Sequence, residues 1–239
     1  MSDQILSAVH LAGPRGLPEN GLKTLRRFAQ PYLDRRWEIH QRGEHQVPTE
    51  GPVILASNHI GWLDGPLLFL KAPRPAPALV KRELFVGRTG KLLTYAGQIK
   101  IDRKHTDVGA LRAAADALAA DQVIIVFPEG GRGDGEVRRI KRGTAWLALV
   151  SGAPIVPVAI FGSREPGGAL DSRPPKGARI DVVYGEPIQF PAMPWPRTTE
   201  MLNDVTEQVL DHLHQHLTWS KGAAKRGLPG PMPSGSASD

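Results

Sequence analysis

The chain has 239 residues, a length that suits one large domain and that can bury a core without disulfides or metal ions. It contains no cysteine, which excludes a disulfide framework, a thiolate nucleophile and a Cys-ligated zinc site. Lys and Arg outnumber Asp and Glu by 30 to 24, so a polyanion or an anionic membrane surface is an expected neighbour.

Apolar runs in the sequence are short. None approaches the roughly 18 uninterrupted apolar residues of a membrane-spanning helix, and the first residues lack the charged start and apolar core of a signal peptide. We therefore expect a cytoplasmic protein that associates peripherally with the inner face of an anionic cell membrane. No nucleic-acid-binding motif or aromatic stacking platform accompanies the basic residues, so nucleic acid is not an expected partner.

Strand-like and helix-like segments alternate along the chain. Residues 1–18 are predicted to form an irregular arm, 19–220 the folded domain, and 221–239 a disordered tail poor in large apolar side chains. Strands are predicted over residues 37–41, 53–57, 78–80, 98–101, 123–127, 155–161 and 180–184. Helices are predicted over residues 22–29, 66–70, 84–95, 107–120, 140–151 and 199–217.

This alternation is typical of an α/β fold, and we expect a single domain with a central, largely parallel or mixed sheet flanked by helices. Pro157 lies inside a predicted strand and indicates an edge strand or a bulge there. The helix over residues 22–29 is basic and amphipathic, and Pro31 is expected to end it. Such a helix fits either a membrane surface or an ordinary core-facing position.

The segment NHIGWLD over residues 58–64 follows the apolar run of residues 53–57. In it, His59 and Asp64 form an imidazole and carboxylate pair. A neutral imidazole can take a proton from an alcohol if a carboxylate fixes its tautomer and stabilises the imidazolium. No cysteine and no Gly-x-Ser-x-Gly elbow supplies a protein nucleophile, so the hydroxyl would be the substrate's own. The spacing alone is equally compatible with a structural or accidental pair.

A second polar segment, FPEGGRG over residues 127–133, follows the apolar run of residues 123–126. It offers a carboxylate from Glu129, a guanidinium from Arg132 and glycines whose backbone N–H groups can approach an anion. An ordinary glycine-rich surface turn is the alternative. Because ligands of α/β sheets bind beyond the carboxyl ends of strands, we expect His59 and Glu129 to share one site.

Four segments occur in an order that resembles the 1-acyl-sn-glycerol-3-phosphate acyltransferase family, the PlsC-like glycerolipid and lysophospholipid acyltransferases. Residues 58–64 are similar to that family's N-H-x4-D motif, and residues 97–103 (GQIKIDR) to its second block. Residues 127–133 are similar to its F-P-E-G-T-R-S block, and residues 155–159 (IVPVA) to its V-P-V/I segment. The joint, ordered occurrence is more specific than any one motif.

The resemblance implies a glycerol-3-phosphate acyltransferase-like fold, with His59 as general base and Asp64 as its partner. It also implies an acceptor-phosphate site made of Arg103, Glu129, Gly130, Arg132, Lys81 and Lys141. The implied reaction moves a fatty acyl group from acyl-CoA or acyl carrier protein, as cosubstrate, to the free hydroxyl of a lysophosphatidic acid-like glycerolipid. No metal or other cofactor is implied.

Gly131 and Gly133 depart from the family pattern, because hydroxyl residues usually stand at these two positions. Two hydrogen bonds to a phosphate or to Glu129 are therefore missing, which leaves the acceptor head group open. A thioesterase or transacylase relative, and a non-catalytic basic membrane-binding protein, are the alternative functions.

Overall fold

The computed structural model describes residues 16–194 and 196–231 and has seven strands and six α-helices in that part of the chain. The strands are β1 (Glu38–Arg42), β2 (Val53–Ser57), β3 (Leu79–Lys81), β4 (Ile99–Ile101), β5 (Val123–Val126), β6 (Ile155–Phe161) and β7 (Arg179–Tyr184). The helices are α1 (Asn20–Arg36), α2 (Asp64–Lys71), α3 (Gly87–Tyr95), α4 (Val108–Ala119), α5 (Gly143–Ser151) and α6 (Thr199–Ala224).

The central sheet has the strand order β1-β7-β6-β2-β5. All neighbours are parallel except β6 and β7, which are antiparallel. Strands β3 and β4 form a parallel pair, which a backbone bridge between Ala78 and Ile125 connects to β5. The α/β fold with a largely parallel, mixed sheet is therefore confirmed.

Both faces of the sheet are covered, because alternate side chains of the inner strands are buried in two separate cores. Ile54 and Ala56 of β2 belong to the core that includes residues of α4, α5 and α6. The alternating residues Val53 and Leu55 belong to the core on the other face, which includes residues of α1 and α2. Every residue of β2, β5 and β6 is buried, which explains why these strands read as continuous apolar runs.

The register of β2 with β5 brings the two polar segments together. Ala56 lies beside Val126, so both parallel strands end at the same edge of the sheet, and residues 58–64 and 127–133 leave from there. Strand β6 is parallel to β2 on its other side, with Ser57 beside Val158, so the chain after β6 leaves from this edge as well. The expected meeting of His59 and Glu129 is a consequence of this register.

The expectation that Pro31 ends the first helix is wrong. Helix α1 continues through Pro31 to Arg36, and Pro31 is exposed while Leu22 and Leu33, on either side of it, are buried against the core. Strand β6, which contains Pro157, is central, so the edge alternative for Pro157 is wrong. The bulge alternative agrees with the pairing, because Ile155 lies beside Ile188 and Val158 beside Tyr184, which leaves one more residue on the partner side than on β6.

The boundaries of the folded domain also differ from the prediction. Helix α6 runs to Ala224 rather than 217, because Ser220 and Ala224 extend its buried face. Part of the tail predicted to be disordered is packed against the domain. Leu228 joins the larger core, and Pro229 O accepts a hydrogen bond from Gly167 N–H at 3.1 Å. Residues 232–239 lie outside the described residues.

Most of the predicted irregular arm, residues 1–15, likewise lies outside the described residues. Leu17 exchanges two hydrogen bonds with the side chain of Gln122, at 2.7 and 2.8 Å. Across 16–194 and 196–231, no helix has both the length and the apolar character needed to cross a bilayer.

Candidate active site

His59 and Asp64 lie in hydrogen-bonding contact just beyond the end of β2. Nδ1 of His59 is 2.8 Å from Oδ2 of Asp64, and the same oxygen accepts the backbone N–H groups of Ile60 and Gly61 at 2.6 and 2.8 Å. Asp64 is fully buried at the start of α2, whereas the His59 side chain keeps 18 % of its surface exposed. These donors satisfy the hydrogen-bonding capacity of a buried carboxylate oxygen, and its contact with Nδ1 leaves Nε2 of His59 for another partner.

Residues around His59 are fixed by packing and by backbone contacts. Its ring stacks on Phe127, with 4.1 Å between the ring centroids. The side-chain amide of Asn58 links the end of β2 to β6. Its Nδ2 donates to Ile160 O at 3.1 Å, and its Oδ1 accepts Ile160 N–H at 2.8 Å. His59 O accepts the backbone N–H of Gly133 at 2.8 Å, which ties the two polar segments together.

Glu129 contacts the backbone of His59 rather than its ring. Its Oε1 accepts the backbone N–H of His59 at 2.9 Å. Burial, opposed by the hydrogen bond from the His59 N–H and aided by the negative charges of Asp134 and Asp64, raises the pKa of Glu129 to about 7. Glu129 therefore supports the loop that carries the imidazole.

Gly130 has a conformation and a neighbour that favour glycine. Its φ is +76°, in the left-handed region, and a Cβ placed there would lie 2.5 Å from Cε of Lys141. Lys141 is held across the turn, because its N–H donates to Pro128 O at 2.8 Å and its Nζ to Arg103 O at 3.0 Å. This anchoring precedes α5, which begins at Gly143 rather than at the predicted residue 140.

Arg132 is engaged by a residue that the sequence did not single out. Its Nη1 donates to Leu170 O at 3.0 Å and to Oδ1 of Asp171 at 2.6 Å. The Arg132 side chain is only 9 % exposed, whereas that of Asp171 is 85 % exposed. A carboxylate thus contacts the guanidinium that was predicted to bind an acceptor phosphate.

Six of the eight predicted site residues line one large cavity of about 1470 Å³. Its lining includes His59, Lys81, Arg103, Gly130, Arg132 and Lys141, together with Asp171. Glu129 and Asp64 are not among the lining residues, and each forms a hydrogen bond with His59 instead. The rest of the lining is mainly apolar, with residues of α1, α2 and α3 such as Leu25, Phe69 and Leu92. The geometry therefore sets an imidazole and several cations at a large, mainly apolar cavity.

Ser163 and Arg164, directly after β6, were missed by the sequence reasoning. The Ser163 hydroxyl donates to Oδ1 of Asp64. Arg164 is almost fully buried and donates to Gly133 O at 2.8 Å and to Gly230 O at 3.1 Å, and burial lowers its pKa. The signal was available, since polar residues that follow a buried parallel strand had also revealed His59 and Glu129.

Comparison with known proteins gives the family. A model of the Acyltransferase family matches residues 38–161, which is more than half of the chain and includes both polar segments. The chain belongs to the acyltransferase family. The predicted membership is confirmed.

Named members of the acyltransferase family are similar to the chain over different lengths. The 1-acyl-sn-glycerol-3-phosphate acyltransferase alpha of Homo sapiens is 35% identical over 127 residues, which are 51% of this chain and 45% of that protein. The 1-acyl-sn-glycerol-3-phosphate acyltransferase of Bacillus subtilis (strain 168) is 24% identical over 190 residues, covering 77% of this chain and 92% of that protein. The chain spans about half the length of the mammalian relatives it matches.

A solved structure shares the fold. The crystal structure of the 1-acyl-sn-glycerophosphate acyltransferase PlsC from Thermotoga maritima matches with a TM-score of 0.60 and 22% sequence identity. The match covers 82% of this chain and 79% of that one, so most of the acyltransferase-family fold is common to both.

Proposed function

We propose that this protein is an O-acyltransferase that moves a fatty acyl group from a thioester, acyl-CoA or acyl carrier protein, to the free hydroxyl of a lysophosphatidic acid-like glycerolipid. The observation that carries the proposal is the contact of 2.8 Å between His59 and the buried Asp64 at the wall of a large, mainly apolar cavity. The names of the relatives support the same reaction.

The chemistry follows from the two nitrogens of His59. With Nδ1–H donated to Asp64, Nε2 is the basic nitrogen and takes the proton of the acceptor hydroxyl as its oxygen attacks the thioester carbonyl. Asp64 stabilises the resulting imidazolium. The tetrahedral intermediate then collapses, the C–S bond breaks, and the imidazolium returns the proton to the leaving thiolate. The new ester and a free thiol are the products.

The cations at the cavity support an acceptor that carries a phosphate. Lys81, Arg103, Arg132 and Lys141 all line the cavity that His59 borders. Arg and Lys bind phosphate oxygens through charge-assisted hydrogen bonds, and Arg can do so with two parallel bonds. A phosphate held there would orient the glycerol hydroxyl towards Nε2 of His59.

The size and lining of the cavity support a lipid chain. Its volume of about 1470 Å³ exceeds the roughly 300–1,000 Å³ that accommodates a drug-sized ligand. Leucines from α1 and α3, among them Leu25, Leu92 and Leu93, line the cavity. Burying a chain there removes apolar surface from water, which is favourable by about 25 cal/mol per Å².

Peripheral association with an anionic membrane is part of the proposal. Phe28 and Tyr32, one helical turn apart on α1, are 73% and 65% exposed, and Val86, just before α3, is 67% exposed. Exposed basic residues accompany them, such as Arg27 on α1 and Lys91 on α3. Apolar side chains next to cations are typical of surfaces that lie in the bilayer interface. Here these side chains belong to α1 or precede α3, and both helices also line the cavity.

The test is product analysis. The purified protein is incubated with a thioester donor, either acyl-CoA or acylated acyl carrier protein, and with a mixture of lysophospholipids. The products are identified by mass spectrometry. The proposal expects a diacyl product together with free thiol in equal amounts. Thioester loss that does not depend on an acceptor would identify a thioesterase, and vesicle binding without any turnover would identify a non-catalytic membrane protein.

A further inference from the structure

The carboxylate of Asp64 receives donors from two separate segments of the chain. Its Oδ2 accepts His59 Nδ1 and the backbone N–H groups of Ile60 and Gly61, all within the 58–64 segment. Its Oδ1 accepts the hydroxyl of Ser163, about a hundred residues later in the chain. Asp64 and Ser163 both have 0% of their surface exposed. The second oxygen of the carboxylate is therefore held by the end of β6.

The end of β6 contacts the same segment at two further points. Asn58 exchanges two hydrogen bonds with the backbone of Ile160. Gly61 lies so close that a Cβ there would be 2.9 Å from Ser163 O. The loop from 58 to 64 is thus seated on residues 160–163, which brings the Ser163 hydroxyl to Asp64.

A buried carboxylate is stable only when its oxygens find donors. With the Ser163 hydroxyl on Oδ1, rotation of the carboxylate about its own bond would break that hydrogen bond. The plane of the carboxylate is then fixed, and Oδ2 stays 2.8 Å from Nδ1 of His59. Without the hydroxyl, Oδ1 would lose this partner and the carboxylate could turn away from the imidazole.

We propose that Ser163 is a positioning residue for the acyl-transfer site, which fixes the Asp64 carboxylate and, through it, the tautomer and orientation of His59. The inference rests on the proposed function for its kinetic consequences. Ser163 has no exposed surface, so it acts through Asp64 and not on the substrate. The positioning role of Ser163 assigns a function to the residues after β6, which the sequence alone did not predict.

A matched control separates positioning from folding. Ser220 on α6 also has 0% of its surface exposed, and its hydroxyl is 3.2 Å from His216 Nε2. Ser220→Ala therefore removes a buried, hydrogen-bonded hydroxyl of the same size away from Asp64. Its effect on the thermal midpoint gives the cost of losing such a group without disturbing the carboxylate.

The kinetic experiment compares Ser163→Ala, Ser163→Cys and Ser163→Thr with the unmodified protein and with Ser220→Ala. We expect kcat to fall about tenfold in Ser163→Ala while KM for the acceptor changes less than about twofold. Cys is a weaker donor than a hydroxyl and should give an intermediate kcat, whereas Thr keeps the hydroxyl and should restore most of it. A kcat that follows the thermal midpoint across the series, or that stays within twofold in Ser163→Ala, would overturn the proposal.

A spectroscopic readout separates this inference from the proposed function. The His59 Nδ1–H proton, hydrogen-bonded to Asp64, is assigned by NMR with ¹⁵N-labelled histidine and by its loss in His59→Ala. Ser163→Ala should shift this resonance and Ser220→Ala should not. An unmoved resonance overturns the positioning role. A moved resonance in a protein without acyl transfer overturns only the proposed function.

Discussion

Glu129 accepts the backbone N–H of His59 at 2.9 Å, so the carboxyl of the second polar segment holds the main chain of the proposed base. Burial and the nearby charges of Asp64 and Asp134 raise the pKa of Glu129 to about 7. Oε1 can accept this N–H in either protonation state. The hydrogen bond therefore forms whether or not Glu129 is ionised, whereas the stability of the fold depends on the ionisation of Glu129.

Stability should fall with pH because of Glu129. Between its ordinary pKa of 4.5 and the folded value of about 7, the unfolded chain releases the proton and the folded chain keeps it. The unfolded state then binds fewer protons, so the stabilising contribution is complete below about pH 4.5 and is lost as the pH rises through 7. A shift of this size corresponds to roughly 3 kcal/mol of unfolding free energy.

The measurement is the free energy of unfolding by denaturant at several pH values for the unmodified protein and for Glu129→Gln. The difference between the two proteins should change by up to roughly 3 kcal/mol between pH 4.5 and 7, because Gln carries no proton to release. Glu207→Gln, at an exposed position on α6, serves as control. Parallel pH profiles for the unmodified protein and Glu129→Gln would contradict the account.

Gly130→Ala should impair acceptor binding more than its backbone strain explains. The new Cβ would lie 2.5 Å from Cε of Lys141, so the Lys141 side chain has to leave its present position at the cavity. We expect KM for a phosphate-bearing acceptor to rise about tenfold, with a smaller change in kcat. Gly51→Ala is the matched control, since Gly51 has a φ of +72° but open space around it. Equal effects of both variants on KM would remove Lys141 from the site.

Asp171→Asn should improve the binding of a phosphate-bearing acceptor. The Asp171 carboxylate contacts Arg132 at 2.6 Å and lines the cavity, so an incoming phosphate competes with it for the guanidinium and is repelled by its charge. We expect KM for the acceptor to fall several-fold at low salt, with less effect at high salt. Asp34→Asn removes the pairing of an exposed aspartate with Lys71 and is the control. An unchanged KM would mean that Arg132 does not bind the phosphate.

The exposed aromatic pair on α1 should contribute to membrane association. Changing both Phe28 and Tyr32 to Ser removes two large apolar side chains from the surface, and we expect binding to anionic phospholipid vesicles to weaken at least tenfold in a sedimentation assay. Trp219→Ser changes a side chain that is 62% exposed on α6 and should have little effect. Comparable loss of binding in the two proteins would contradict the proposed membrane face.

The sequence predicted the strands at whose carboxyl ends the proposed active site lies, because the signals for these strands are local. Continuous apolar runs marked β2, β5 and β6 as buried strands, and polar residues directly after them marked the edge where His59 and Glu129 meet. The parallel order then follows from the alternation of strands and helices. None of these signals depends on side-chain contacts.

The missed features depend on contacts between distant parts of the chain. Pro31 reads as a helix end, yet Leu22 and Leu33 hold the turns on either side of it against the core. The hydroxyl of Ser163 gains a partner only when β6 lies beside β2, and Asp171 meets Arg132 only once the connection between β6 and β7 folds back over the cavity. Helical periodicity and residue spacing carry no information about such pairs.

The central claim is that His59, oriented by Asp64, takes the proton of the acceptor hydroxyl. The most direct measurement is the rate of acyl transfer from acyl-CoA or acyl carrier protein to 1-acylglycerol 3-phosphate by His59→Ala, beside His40→Ala, which changes an exposed histidine on β1. The account predicts that His59→Ala loses activity by about 10²–10⁴-fold while His40→Ala keeps it. Transfer by a folded His59→Ala protein within a few-fold of the unmodified rate would contradict it.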